Sequence, residues 1–317
     1  MSHVELPSGL GLDDRKMSRY QEKKQVFIQW AKNIVRTWLP SRQKMNKYFN
    51  SDIWDSFKIS GSIATFLYIS FIGVPLLALL YAAISDEDFF VSLSNPMVYK
   101  ALYLSLYTSA ISMFIIVIVG TPVGYVLAHN RNGIFRIVDI LIELPIVLPP
   151  VVAGIALLMA FGNNGIIGQF LSGIGIKLPF TTVAVIFAQI FVSAPFYVRA
   201  ARIGFQSVPS TYEDIAQTLG SPPMETFLRI SLPLTWQALL GGLALSWARA
   251  LSEFGATIMF AGSIIGKTQT LPLATLRAME TDITFAIAIS VLALLISMAI
   301  LLFLGLIVSS SSYGRSK

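Results

Sequence analysis

Residues Ile283–Val308 read ITFAIAISVLALLISMAILLFLGLIV, 26 consecutive positions without a charged side chain. A helix needs about 20 mainly apolar residues to cross the hydrocarbon of a bilayer, so this run is long enough for one crossing. Moving toward the N-terminus, five further stretches meet the same criterion: Thr235–Gly255, Phe180–Ala201, Phe135–Phe161, Met97–Ala128 and Gly61–Ser85. The expected fold is therefore all-α and integral to the membrane, with six transmembrane helices. Composition agrees, since 55% of the 317 residues are hydrophobic and 13% charged, a poor match to a water-facing surface. The net charge of +6 does not indicate a nucleic-acid binder, because the Lys and Arg residues lie between long apolar runs instead of forming one solvated face.

Orientation follows from the positive-inside rule. With the N-terminus cytoplasmic, inside segments carry 18 Lys and Arg residues and outside loops carry 4, namely Lys100, Lys177, Lys267 and Arg277. Both termini are thus expected inside. Residues 1–58 form a basic cytoplasmic tail with 11 basic and 6 acidic side chains and no apolar stretch long enough for a signal peptide. Within it Val26, Phe27, Trp30, Ile34 and Trp38 recur at helical spacing among Lys23, Lys24, Lys32 and Arg36. That pattern suits either an amphipathic helix on the inner membrane face or a loose tail held there by charge. Residues 59–309 form the transmembrane domain and residues 310–317 a short cytoplasmic tail. Prolines 75, 122, 145, 149, 150 and 195 fall inside the spans, where each removes a helical hydrogen bond. Such helices suit a pathway better than a passive anchor.

Several functions are excluded or disfavoured. With no cysteine, the chain has no disulfide, thiolate metal site or cysteine nucleophile. His3 and His129 are the only imidazoles; neither lies in a ligand-like cluster and both read as surface residues. No catalytic residues, metal or cofactor are expected, since no acid, base, nucleophile or ligand set is clustered. Ala261–Thr268 fits the loosest form of a phosphate-binding loop. It is rejected, because such a loop needs a preceding strand and a following helix, whereas this run follows a span and precedes Pro272 on the outer side.

The most informative segment is the inside loop Ser207–Pro233. Ser210 and Glu213 have the spacing of a capping box, Gly220 supplies a left-handed stop, and Ser221 with Pro222 is placed to start a second helix in a new direction. Tyr212, Ile215, Ala216 and Leu219 line one face of the first short helix, and Met224, Phe227 and Leu228 one face of the second. Helices this short are marginal alone and must pack on something.

The run Asp214-Ile215-Ala216, then Gly220, then Ile230, Leu232 and Pro233 resembles the EAA loop of bacterial ABC importer permeases, whose pattern is E-A-A, three residues, G, nine residues, I-x-L-P. Asp214 stands for the Glu and Ile215 for the first Ala. The resemblance implies that the loop is a coupling helix docking on a cytoplasmic ATPase, with Glu213, Asp214, Ala216, Gly220, Ile230, Leu232 and Pro233 as ATPase-coupling residues. It also implies a homodimer, two ATPase subunits and an extracytoplasmic oxyanion-binding protein as partners. Glu143–Gly154, Ala160–Gly165, Arg249–Gly262 and Gly266–Leu273 are similar to molybdate permeases, with Ser252 in place of the usual Gly. Molybdate or tungstate is the expected cargo and sulfate the alternative; an ion channel or secondary transporter is the reading from another class. A dianion needs donors along its path. Arg249, four residues before Glu253, can pair with it or gate that path, Thr257 and Ser263 can offer neutral hydroxyls, and Glu143 suits packing or a hinge.

Overall fold

A computed structural model describes residues 25, 29–30, 51–130 and 132–313, with side chains described at 25, 29–30, 56–130 and 132–307. The tail helix expected over Val26–Trp38 falls largely outside them, as do His3 and Arg131. The chain divides into two compact units, residues 1–76 and 77–317. Helix α1 (Ser51–Ile84) begins in the first unit; it is apolar from Ser56 onward and accommodates Pro75.

The second unit continues through α2 (Phe89–Leu93), α3 (Pro96–His129), α4 (Gly133–Val147), α5 (Pro150–Phe161), α6 (Gly168–Gly173) and α7 (Thr182–Ser207). It is completed by α8 (Ser210–Thr218), α9 (Pro223–Thr226), a π-helical turn Phe227–Ser231, α10 (Leu232–Leu251), α11 (Gly255–Phe260), α12 (Leu271–Met279) and α13 (Ile283–Tyr313). Among the described residues five helices are long and apolar enough to cross a membrane, or six if the bent pair α4 and α5 makes one span. The chain is thus an all-α, multi-pass membrane protein.

The expected third span, Phe135–Phe161, is not continuous: α4 and α5 meet at 119°. Two consecutive prolines cause the break. Pro149 disfavours helical backbone at Leu148, and Pro150 does the same at Pro149. Both residues are extended, with ψ of 132° and 134° respectively. Pro150 then occupies the first position of α5, where a missing N–H costs nothing. At 1.5 Å per residue α4 and α5 are only ~22 and ~18 Å long, so neither half crosses ~30 Å of hydrocarbon alone.

Helix α7 is the centre of the unit, packed between α3 and α10. The unit has three cores, two of them built on α7. One joins Ala153 and Leu157 of α5 to Ala184, Ala188 and Val192 of α7 and Phe260 of α11. A second joins Val98 and Ala101 of α3 to Ala274 of α12 and Ile289 of α13. The third joins Met113 and Ile116 of α3 to Tyr197, Ala201 and Phe205 of α7 and Leu239 of α10. Alanine recurs because small residues let helix backbones approach where hydrophobicity gives no drive for association.

Polar side chains hold the same seams. Ser112 Oγ donates to Gln189 Oε1 at 3.0 Å, Trp247 Nε1 donates to Ser109 Oγ at 3.1 Å, and Ser246 Oγ donates to the Ser193 carbonyl at 2.8 Å. Ser105 Oγ accepts from the Leu271 amide at 2.7 Å, tying the start of α12 to α3. Such bonds between membrane helices contribute on the order of 1 kcal/mol each.

The α7–α10 approach depends on Gly242, where a Cβ would lie 2.5 Å from Ala200 Cβ. Gly242→Leu should therefore destabilise the protein by about 1–3 kcal/mol, read as a lowered unfolding temperature in detergent. Gly241→Leu is the control, since its Cβ would meet nothing within 4 Å; equal loss in both variants would contradict this packing.

Candidate functional site

Helix α8 begins after Pro209, and the Ser210 hydroxyl makes no capping bond. The capping box expected of Ser210 and Glu213 is not formed, because the Glu213 carboxylate turns inward, away from the amide at 210. Its Oε1 accepts from Ser231 Oγ at 2.5 Å; its Oε2 accepts from Tyr125 Oη at 3.3 Å and lies 3.1 Å from His129 Nε2. The residue is 7% exposed. A buried carboxylate with three polar neighbours is worth more than a solvated cap, since leaving it unpaired would cost several kcal/mol.

The stop at Gly220 is formed as expected, with φ of +90°. The Ser221 amide donates to the Ala216 carbonyl and the Gly220 amide to the Gln217 carbonyl, both at 3.0 Å, which makes a Schellman ending. The restart is one residue later than expected: Pro222 is the N-cap and Pro223 the first helical residue. Nor is the second helix separate. It runs through the π turn into α10, so Ile230 lies in that turn and Leu232 and Pro233 open the long helix.

The apolar face divides as packing requires. Ala216 is buried and Phe227 joins the α3–α7–α10 core. Tyr212, Ile215 and Leu228 are half exposed, while Leu219 and Met224 are exposed to 83% and 68%. Asp214 also faces outward. Glu225 and Arg229, one turn apart, pair at 2.7 Å beside this row.

Four charges meet between α4 and α7. Arg202 pairs with Asp139 and lies 3.8 Å from Glu143 Oε1, and Arg199 Nε lies 3.7 Å from the same oxygen. Glu143 is thus paired, in keeping with a packing or hinge role, and Asp139 and the two arginines complete a cluster that clamps the bent half-helix. Asp139 and Glu143 share one helical face and Arg199 and Arg202 another, a pattern the sequence carries but that points to no partner until the fold is known.

At the far end of α10, Arg249 Nη2 lies 2.7 Å from Glu253 Oε2. Glu253 Oε1 accepts from the Ala256 amide at 2.7 Å and so holds the first turn of α11. The Glu253 side chain is enclosed, whereas that of Arg249 is 25% exposed. Thr257 is fully buried with no hydrogen-bond partner for its hydroxyl among the described residues, and Ser263 Oγ accepts from Gln269 Nε2 at 3.4 Å. The Ala261–Thr268 loop closes on itself. The Ile264 carbonyl accepts from the amides of Lys267, Thr268 and Gln269, and the Ile264 amide donates to Thr268 Oγ1. The short buried helix α11 precedes it in place of a strand, so its amides are not aimed at a phosphate.

These features define a multi-pass membrane component of a transport system. Residues 120–312 match the family described as binding-protein-dependent transport system inner membrane component, and the chain belongs to that family. It is 38% identical over 271 residues to the probable transport system permease protein NifC of Clostridium pasteurianum, covering 83% of this chain and 94% of that protein. It is 40% identical over 237 residues to the molybdenum transport system permease protein ModB of Mycobacterium bovis, covering 75% and 89%. The sulfate transport system permease protein CysT of Salmonella typhimurium is 33% identical over 245 residues, covering 76% and 88%. Among solved structures, a bacterial ABC transporter that imports the polysaccharide alginate matches in fold with a TM-score of 0.64 at 18% identity, covering 82% of this chain and 97% of that one.

The Arg249–Glu253 pair yields a direct test. Arg249→Met leaves a carboxylate enclosed without its counter-charge and should cost about 3–5 kcal/mol, measured by thermal unfolding in detergent. Adding Glu253→Gln removes the stranded charge and should restore part of that loss; no recovery would show that the guanidinium matters for reasons other than this pair.

Proposed function

We propose that this chain is the membrane-spanning subunit of an ATP-binding-cassette importer that moves molybdate or tungstate into the cytoplasm. The observation that carries the reading is the exposed row Tyr212, Ile215, Leu219, Met224 and Leu228 on a short loop stopped by a left-handed glycine. Apolar side chains presented on a polar-sided helix are the form in which a helix docks into a groove of a partner. The partner is a cytoplasmic ATPase, present in two copies, with Asp214 at the rim of the contact and Glu213, Ala216, Gly220, Ile230, Leu232 and Pro233 shaping the loop behind it. Both termini lie in the cytoplasm.

Two copies of the chain surround one path. Closure of the ATPase pair draws the two loops together, and the outer side opens toward a loaded binding protein. Arg249, at the end of α10 opposite the loop and partly exposed, is a cation that a dianion can meet; Glu253 positions it, and Ser263 offers a neutral hydroxyl. Thr257, buried with its hydroxyl unpartnered among the described residues, is a further candidate donor to that path. The molybdate reading is supported by the greater identity to the ModB relative than to the CysT relative, 40% against 33%.

Cells lacking the chain should lose molybdenum or tungsten accumulation at limiting supply, with labelled sulfate uptake unchanged. Loss of sulfate uptake alone would keep the importer and overturn the cargo. Gly220→Val forces a β-branched residue to φ +90° and should abolish uptake while the protein remains inserted; wild-type uptake in that variant would contradict the coupling role.

A further inference from the structure

The loop that meets the ATPase is joined covalently only to α7 and α10, yet Glu213 also ties it to α3. We infer that Glu213 is a pin that carries displacement of the loop into the membrane helices, with Ser231, Tyr125 and His129 as its socket; the inference rests on the proposed coupling role.

The geometry is specific. Glu213 stands one turn into α8 and reaches residues 18, 88 and 84 positions distant in sequence, on the π turn and at the inner end of α3. The socket is itself rigid. Tyr125 and His129 are one turn apart with ring centroids 4.2 Å apart, and His129 Nδ1 lies 2.9 Å from the Tyr125 carbonyl. That carbonyl only accepts, so Nδ1 donates to it; when the ring carries both protons, Nε2 also donates to the carboxylate. Edge contacts of Tyr125 with Phe205 and Phe227, at 5.3 and 4.8 Å, join α3 to α7 and to the π turn. Without Glu213 the inward face of α8 would rest mainly on Ala216, and a nine-residue helix does not hold its place by its own stability. A push on the exposed row would then bend the loop and leave α3 where it was.

The test uses the complete complex with its ATPase and binding protein in vesicles, scoring anion transported per ATP hydrolysed with whichever of molybdate, tungstate or sulfate the wild-type complex accumulates. Glu213→Ala should lower that ratio roughly tenfold, the loss expected for one hydrogen bond to a charged group, with the ATPase still copurifying. Glu213→Gln, whose amide oxygen can still accept from Ser231 Oγ while its NH2 donates to Tyr125 Oη, should recover part of it. Ser231→Ala is the milder probe, removing only the shortest bond, and should lower the ratio in the same direction. A wild-type ratio in Glu213→Ala or in Ser231→Ala overturns the pin, as does loss of ATPase copurification in both, which would make the cluster a docking element. Failure of the wild-type chain itself to hold an ATPase would instead overturn the coupling reading.

Discussion

Inside hydrocarbon no water is available to a backbone amide or carbonyl, and each such group left unpaired costs several kcal/mol. The rest of the structure follows from that constraint. It makes every span a helix, and it confines irregular backbone to places where protein covers it. The bend at Leu148–Pro149 is such a place. The amide of Ala153 donates to the Pro149 carbonyl and that of Leu148 to the Leu144 carbonyl, so the break costs few bonds beyond those the prolines could never make. Pro195, by contrast, sits within the continuous and well-packed α7, where its neighbours absorb the defect.

The same constraint shapes the side chains. The serine and threonine hydroxyls of α3 are buried, and those of Ser112, Ser109 and Ser105 bond across the seams with α7, α10 and α12. Ser and Thr are small enough to bond across a seam without separating the helices that alanine and Gly242 bring together. Polar specificity and close approach thus come from the same residue sizes, and α7 lies at the centre because α3 and α10 can both approach it closely.

Much of this was legible in the sequence because length and apolarity report directly on crossing a bilayer. Ile283–Val308 could be little else. The continuity of Phe135–Phe161 was misread because hydropathy does not register direction, although Leu148-Pro149-Pro150 held the steric reason for a turn. Gly220 was legible because positive φ selects glycine strongly. The spacing of Ser210 and Glu213 points to a capping box, since spacing reports on neighbours along a helix and not on a partner 84 residues away. Ser231, Tyr125 and His129 carried no local signal at all; a histidine at the end of a span looks like any surface residue until α8 is folded against it.

Helix α10 gives these pieces a common frame. Its near end adjoins the π turn that holds Ser231 against Glu213, and its far end carries Arg249 locked to Glu253, which in turn fixes the first turn of α11. Twenty residues of helix put about 30 Å between those ends. Between them the helix contains no proline after Pro233, and it is held on one side by α7 and on others by α3 and α13. Packing on these sides holds the helix along its length, and Gly242 keeps it close to α7. The widened turn at Phe227–Ser231 is one compliant point in this element and the Gly241-Gly242 pair is another, and Glu213 braces the first from outside the helix.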